Sequence, residues 1–130
     1  MLAGQISGAS HRLFLVYAAG NFIEATVDTP FLQIGEIKYG KPILDRGVSF
    51  ATPLLDAVKL ALISMDGTLR SNLTVGLPVD LLLYRSKTLR VGLRRRIAED
   101  DPYLRMVRDR WAHALREAYQ MMPGPDWPLA

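Results

Sequence analysis

Two uninterrupted apolar runs constrain this chain more than anything else in it. Leu13-Phe14-Leu15-Val16-Tyr17 and Leu81-Leu82-Leu83 read as strands buried on both faces. Covering two such strands on both sides takes more helix than the sequence offers, so part of the cover is expected from outside the chain.

In order, residues 3–10 are small and polar and read as a loop or weak edge strand. Arg12 to Tyr17 forms a strand, Ala18 to Asn21 supplies turn residues, and Phe22 to Thr26 returns as the hairpin partner. Thr29 to Arg46 is where strands give way to helices. Phe31, Leu32 and Ile34 read as a short buried strand ended by Gly35, and Lys38 to Leu44 opens a helix or a 3₁₀ segment. Thr52-Pro53 is expected to cap the next helix, with Leu54, Val58, Ala61, Leu62, Met65 and Leu69 along one stripe. Leu55, Ala57, Leu60 and Ile63 widen that surface, so this helix should be covered on most sides. Arg70-Ser71-Asn72 ends it, and Gly76 with Pro78 prevents continuation.

Val79 to Tyr84 is a strand, Arg85 to Thr88 a turn, and Leu89, Val91 and Leu93 alternate with polar residues on the way back. Asp101-Pro102 starts a second helix with cap and N1 proline in place. Its stripe is Leu104, Val107, Trp111, Ala114, Leu115, Ala118 and Met122, with Trp111 the largest anchor. Pro123-Gly124-Pro125 stops it, and 123–130 should be a loose tail. The expectation is one α+β domain over 1–130.

The 130 residues are 49% apolar and 22% charged, ordinary values for a globular domain, and the net charge is +3. Arg94-Arg95-Arg96 is answered at once by Glu99-Asp100-Asp101, and no aromatic residue interleaves the arginines, so no nucleic-acid partner is expected. There is no cysteine, and two histidines far apart make a poor metal site; no cofactor is expected. No apolar run is long enough for a membrane span, and Met1 to Gly8 lacks the basic and apolar regions of a leader, so a cytoplasmic location is expected.

Catalytic motifs are scarce. Ser10 and His11 are neighbours, but adjacent strand residues point to opposite faces. No Gly-x-Ser-x-Gly elbow, Walker loop or dinucleotide fingerprint occurs. Asp66 and Asp80 could each orient a partner, and a solvated or capping role is the expectation for both. The strand ending at Gly35 could hold an oxyanion or a substrate main chain on the next free N–H groups; a tight corner is the plainer reading.

Three stretches carry a resemblance. They are Arg12 to Arg46, Asp66 to Leu81, and Glu99-Asp100-Asp101-Pro102-Tyr103-Leu104 with Trp111. Together they resemble the Anbu (ancestral beta subunit) family of bacterial proteasome-type peptidases, in its C-terminal half only. The resemblance implies an αββα four-layer sandwich, the proteasome β-subunit-like fold of N-terminal-nucleophile hydrolases, with the first half missing. Such subunits cut peptide bonds with an N-terminal threonine whose own α-amine, with a pKa near ~8, is the base.

Here the start is Met1-Leu2-Ala3, and Thr26 and Thr29 are internal. The first-half aspartate and lysine that assist the threonine have no counterpart. The expectation is therefore a truncated or separately expressed half of a threonine peptidase subunit, inactive alone. The alternative is a non-catalytic structural or assembly subunit. Its partners would be copies of itself or the missing N-terminal half, with peptide or unfolded protein as substrate. No nucleophile is assigned in this chain. Supporting site candidates are Gly35 and Glu36, where a glycine-serine turn is usual, and Ser71, Asn72 and Thr74, where an Asp-x-x-Ser-Gly turn is usual. Capping and loop geometry explain both turns at least as well.

Overall fold

A computed structural model describes residues 1–127. Eight elements follow one another: β1 (Leu2–Gly4), β2 (Arg12–Val16), β3 (Phe22–Glu24), α1 (Lys41–Gly47), α2 (Leu54–Ser71), β4 (Val79–Tyr84), β5 (Val91–Ile97) and α3 (Pro102–Gln120). The class is α+β, with two small antiparallel sheets and three helices, β1-β2-β3 and β4-β5.

The hairpins form where turn residues separate apolar runs. Phe14 pairs with Glu24 and Val16 with Phe22, and the Phe14 and Phe22 rings meet edge to face at 5.6 Å. Arg12 grips Glu24 through two 2.7 Å bonds on the same face. In the second sheet Val79 pairs with Ile97 and Leu82 with Arg94, with a bulge between Leu83 and Tyr84. Residues 5–11 tie the sheets together. The Gln5 side-chain oxygen, Oε1, accepts from Tyr84 Oη at 2.5 Å and from the Lys87 N–H at 2.8 Å.

The core lies between α2, β4-β5 and α3. Leu62, Ile63, Ile97, Leu104 and Val107 are buried there, with Ile43, Val58, Leu77, Leu81 and Trp111 packed against them. Asp101 caps α3 as the sequence predicts, accepting from the N–H groups of Tyr103 and Leu104 at 2.9 and 3.1 Å, with Pro102 at N1. Arg95 donates to the same carboxylate at 2.7 Å. The Arg95 bond above all, then the Leu104 N–H, holds the Asp101 carboxyl below its ordinary range.

Four expectations need correction. Phe31 to Ile34 is not a strand: no neighbouring strand pairs with it, and Ile34 is exposed. A strand is made by its neighbour, and among the described residues none is available. Thr52 does not cap α2. Its hydroxyl oxygen accepts from Ser49 N–H at 2.8 Å, and Pro53 takes the cap position without a side-chain bond. Nor is α2 covered on most sides, since Leu55 is 70% exposed. Asp66 is neither solvated nor a cap but buried. Of the tail, 123–127 holds no helix or strand and Trp127 is exposed, while 128–130 lie outside the described residues.

The doubly apolar strands keep one face open. Val16, Phe22 and Leu82 are each more than half exposed. The whole chain exposes 10141 Å². A compact monomer of 14.5 kDa exposes about 6,900 Å². Beyond Trp111, Ala114, Leu115, Ala118 and Met122 of the α3 stripe are exposed too. The side chains that should close a core point outward instead.

Candidate functional site

The stretch from Gly35 to Gly40 is laid against the second half of α2. Gly35 stands at φ +75°, a left-handed conformation that suits glycine. Gly40 is buried, and a Cβ there would fall on Ser64 Oγ and lie 3.1 Å from Thr68 Oγ1. Gly67 faces the same segment, but a Cβ there would lie 3.4 Å from Tyr39 O, an ordinary contact, so the close approach depends on Gly40.

That contact carries Glu36 to the end of α2. One Glu36 oxygen accepts from Lys38 N–H at 2.9 Å, and the other accepts from Asn72 Nδ2 at 3.1 Å. Asn72 sits at the C-cap of α2, its N–H bonded to Thr68 O. Its Oδ1 in turn accepts from the N–H and the hydroxyl of Thr74, at 2.8 and 2.7 Å. This is an Asx turn held at both ends. Glu36, Asn72 and Thr74 therefore form one network, with Gly35 beside it as the chain neighbour of Glu36, although 36 positions separate Glu36 from Asn72 in sequence. Ser71 ends α2, exposed and outside it.

A carboxylate has about four acceptor positions, and the two protein bonds leave room for an N–H or ammonium group on Glu36. The Thr74 hydroxyl donates to the Asn72 amide oxygen, which is not a base. Among the described residues no cluster of three or more potential metal ligands occurs, and no helix is long and apolar enough to cross a membrane.

Asp66 takes the less expected of its two readings, orienting partners rather than being solvated or capping. It is 4% exposed and accepts from Arg70 Nε at 3.0 Å and Arg108 Nε at 2.5 Å. The four-residue step to Arg70 was a readable signal. Arg108 lies off the apolar stripe of α3 because it reaches for this carboxylate. Asp80 is exposed with Arg96 3.7 Å away, as expected of a solvated group.

No family model matches the chain, and no curated protein does. Solved structures do. Anbu (ancestral beta-subunit) from Yersinia bercovieri is 51% identical, with 98% of this chain covered, 54% of that one, and a TM-score of 0.92. Anbu from Hyphomicrobium sp. strain MC1 is 52% identical, covering 96% of this chain and 54% of that one, TM-score 0.92. The helical assembly of the Anbu complex from Pseudomonas aeruginosa is 49% identical over 95% of this chain and 51% of that one, TM-score 0.89. The chain spans about half the length of the proteins it matches.

Proposed function

This chain is a partial member of the Anbu family, and on that premise we propose that it forms the C-terminal half of a proteasome-type threonine peptidase subunit. What carries the reading is the overlay of nearly the whole chain on about half of an Anbu subunit. The open apolar surface supports it. In this reading the two sheets take up strands from the first half and complete a four-layer αββα sandwich. The attacking threonine belongs to that first half, so these 130 residues alone do not hydrolyse peptides. Gly35, Glu36, Asn72 and Thr74 support the threonine's amine from this side, with Glu36 in the place usual for serine. Peptide or unfolded protein is the substrate, the compartment is the cytoplasm, and copies of the subunit assemble with one another.

The test is to supply the other half. Purified chain is assayed with a fluorogenic peptide, alone and after mixing with the first half of the Hyphomicrobium Anbu subunit bearing threonine or alanine at its mature N-terminus. No turnover alone and threonine-dependent turnover in the mixture are expected. Robust turnover by the chain alone overturns the assignment of the nucleophile. Failure of the halves to associate overturns the half-subunit reading. A second reading, a structural or assembly subunit, is favoured by the bare second half of α3; stable association without turnover identifies it.

A further inference from the structure

A cleft of about 450 Å³ lies where the 5–11 loop meets the β4–β5 turn, within the size range of small-ligand sites. One side brings Ser10 and His11, the other Ser86 and Lys87. The two sides are joined by His11 Nδ1 and Ser86 Oγ at 3.3 Å and by the Gln5 side-chain oxygen on Lys87 N–H. The Gln5 amide also donates to Ala9 O at 2.7 Å, so this side chain braces both walls rather than facing a ligand. Among the described residues no aspartate or glutamate lines the cleft. Arg12 lines it too, but its guanidinium is already taken by Glu24. Leu13, Pro30 and Phe50 add apolar surface to its lining.

Three hydroxyl residues (Ser10, Thr26 and Ser86), a histidine and a lysine, without one carboxylate among them, suit an anion. The apolar surface suits a hydrocarbon body attached to it. We propose that this cleft binds a small anionic ligand, a carboxylate or phosphate carried on an apolar group. Lys87 supplies the charge, and Ser86, Ser10 and His11 supply hydrogen bonds. The site stands apart from the Glu36 network, and the proposal does not depend on the peptidase reading.

Calorimetric titration of the purified chain with three probes tests it: N-acetyl-leucine, its uncharged amide N-acetyl-leucinamide, and inorganic phosphate. The acid should bind at least tenfold more tightly than the amide. Lys87→Ala and Ser86→Ala should each weaken the acid at least fivefold, while Arg94→Ala, outside the cleft, should not. Circular dichroism on each variant confirms that its fold is kept. Tighter binding of N-acetyl-leucine than phosphate assigns a carboxylate on an apolar body such as a peptide terminus; the reverse order assigns a phosphate. Equal binding of acid and amide, no binding of any probe, or an unchanged Lys87→Ala variant overturns the proposal.

Discussion

Arg108 of α3 donates through Nε to Asp66 of α2 at 2.5 Å, tying together two helices whose contact residues lie 42 positions apart. Asp66 is buried and the Arg108 side chain is 20% exposed. Removing the carboxylate leaves a guanidinium with little water to replace it. Asp66→Ala is expected to cost about 3 kcal/mol. Arg70, also paired to Asp66, has a side chain 63% exposed, and Arg70→Ala should cost about 0–1 kcal/mol. Urea unfolding of the two variants checks the difference; equal costs would contradict it.

Gly40 tests the close contact between the 35–40 loop and α2. Its φ of −90° is open to any residue, so only space forbids a side chain. Gly40→Ala sets a methyl on Ser64 Oγ and should destabilise by about 1–3 kcal/mol. At Gly76 a Cβ meets nothing within 4 Å, and Gly76→Ala should stay within about 0.5 kcal/mol. The urea midpoints of both variants decide it.

These two contacts show where sequence reading stops. Local signals were legible: the Asp101-Pro102 start of α3, the turn residues of the β2–β3 hairpin, and the Asn72 end of α2 all stand where the sequence puts them. Gly40 and the Arg108 partner of Asp66 were not, because each depends on a neighbour 24 or more positions away. Phe31 to Ile34 failed for a related reason. Its composition is that of a strand, but pairing is a property of two segments. The site candidates Glu36 and Asn72 rest on family likeness; nothing in the local pattern says that they touch.

Asp101 makes stability depend on acid. Its carboxyl titrates below the usual value because Arg95 and two N–H groups of α3 bond its charged form. A group depressed on folding contributes stability above its unfolded pKa, near ~4, and loses it as pH falls through the folded value. Melting temperature should therefore drop as pH falls below about 4. Asp101→Asn should melt lower at pH 7 and show a shallower acid slope. Parallel slopes for the two proteins would remove Asp101 from the account.

The open end of α3 should separate assembly from stability. Leu104 is 1% exposed and Leu115 is 50% exposed, although both lie on the stripe read from sequence. Leu104→Ala is expected to cost about 2–5 kcal/mol. Leu115→Glu should change stability by about 0.5 kcal/mol or less, yet reduce association in light scattering. If Leu115→Glu destabilises as much as Leu104→Ala, the stripe is closed within the chain.

Glu36 and Asn72 offer the most direct test of the site. Asn72 Nδ2 faces a Glu36 oxygen at 3.1 Å, so Asn72→Asp replaces a donor by a second carboxylate. At pH 7 two like charges then meet where a hydrogen bond stood. The variant should lose about 1–2 kcal/mol through this contact. Glu36→Ser removes the opposing charge, and in that background Asn72→Asp should be nearly neutral, because the new carboxylate still accepts from Thr74. The double-mutant cycle should report a coupling of about 1 kcal/mol or more. Additive effects would mean that Glu36 and Asn72 do not act on each other, and the network would lose its link between the Gly35 turn and the end of α2.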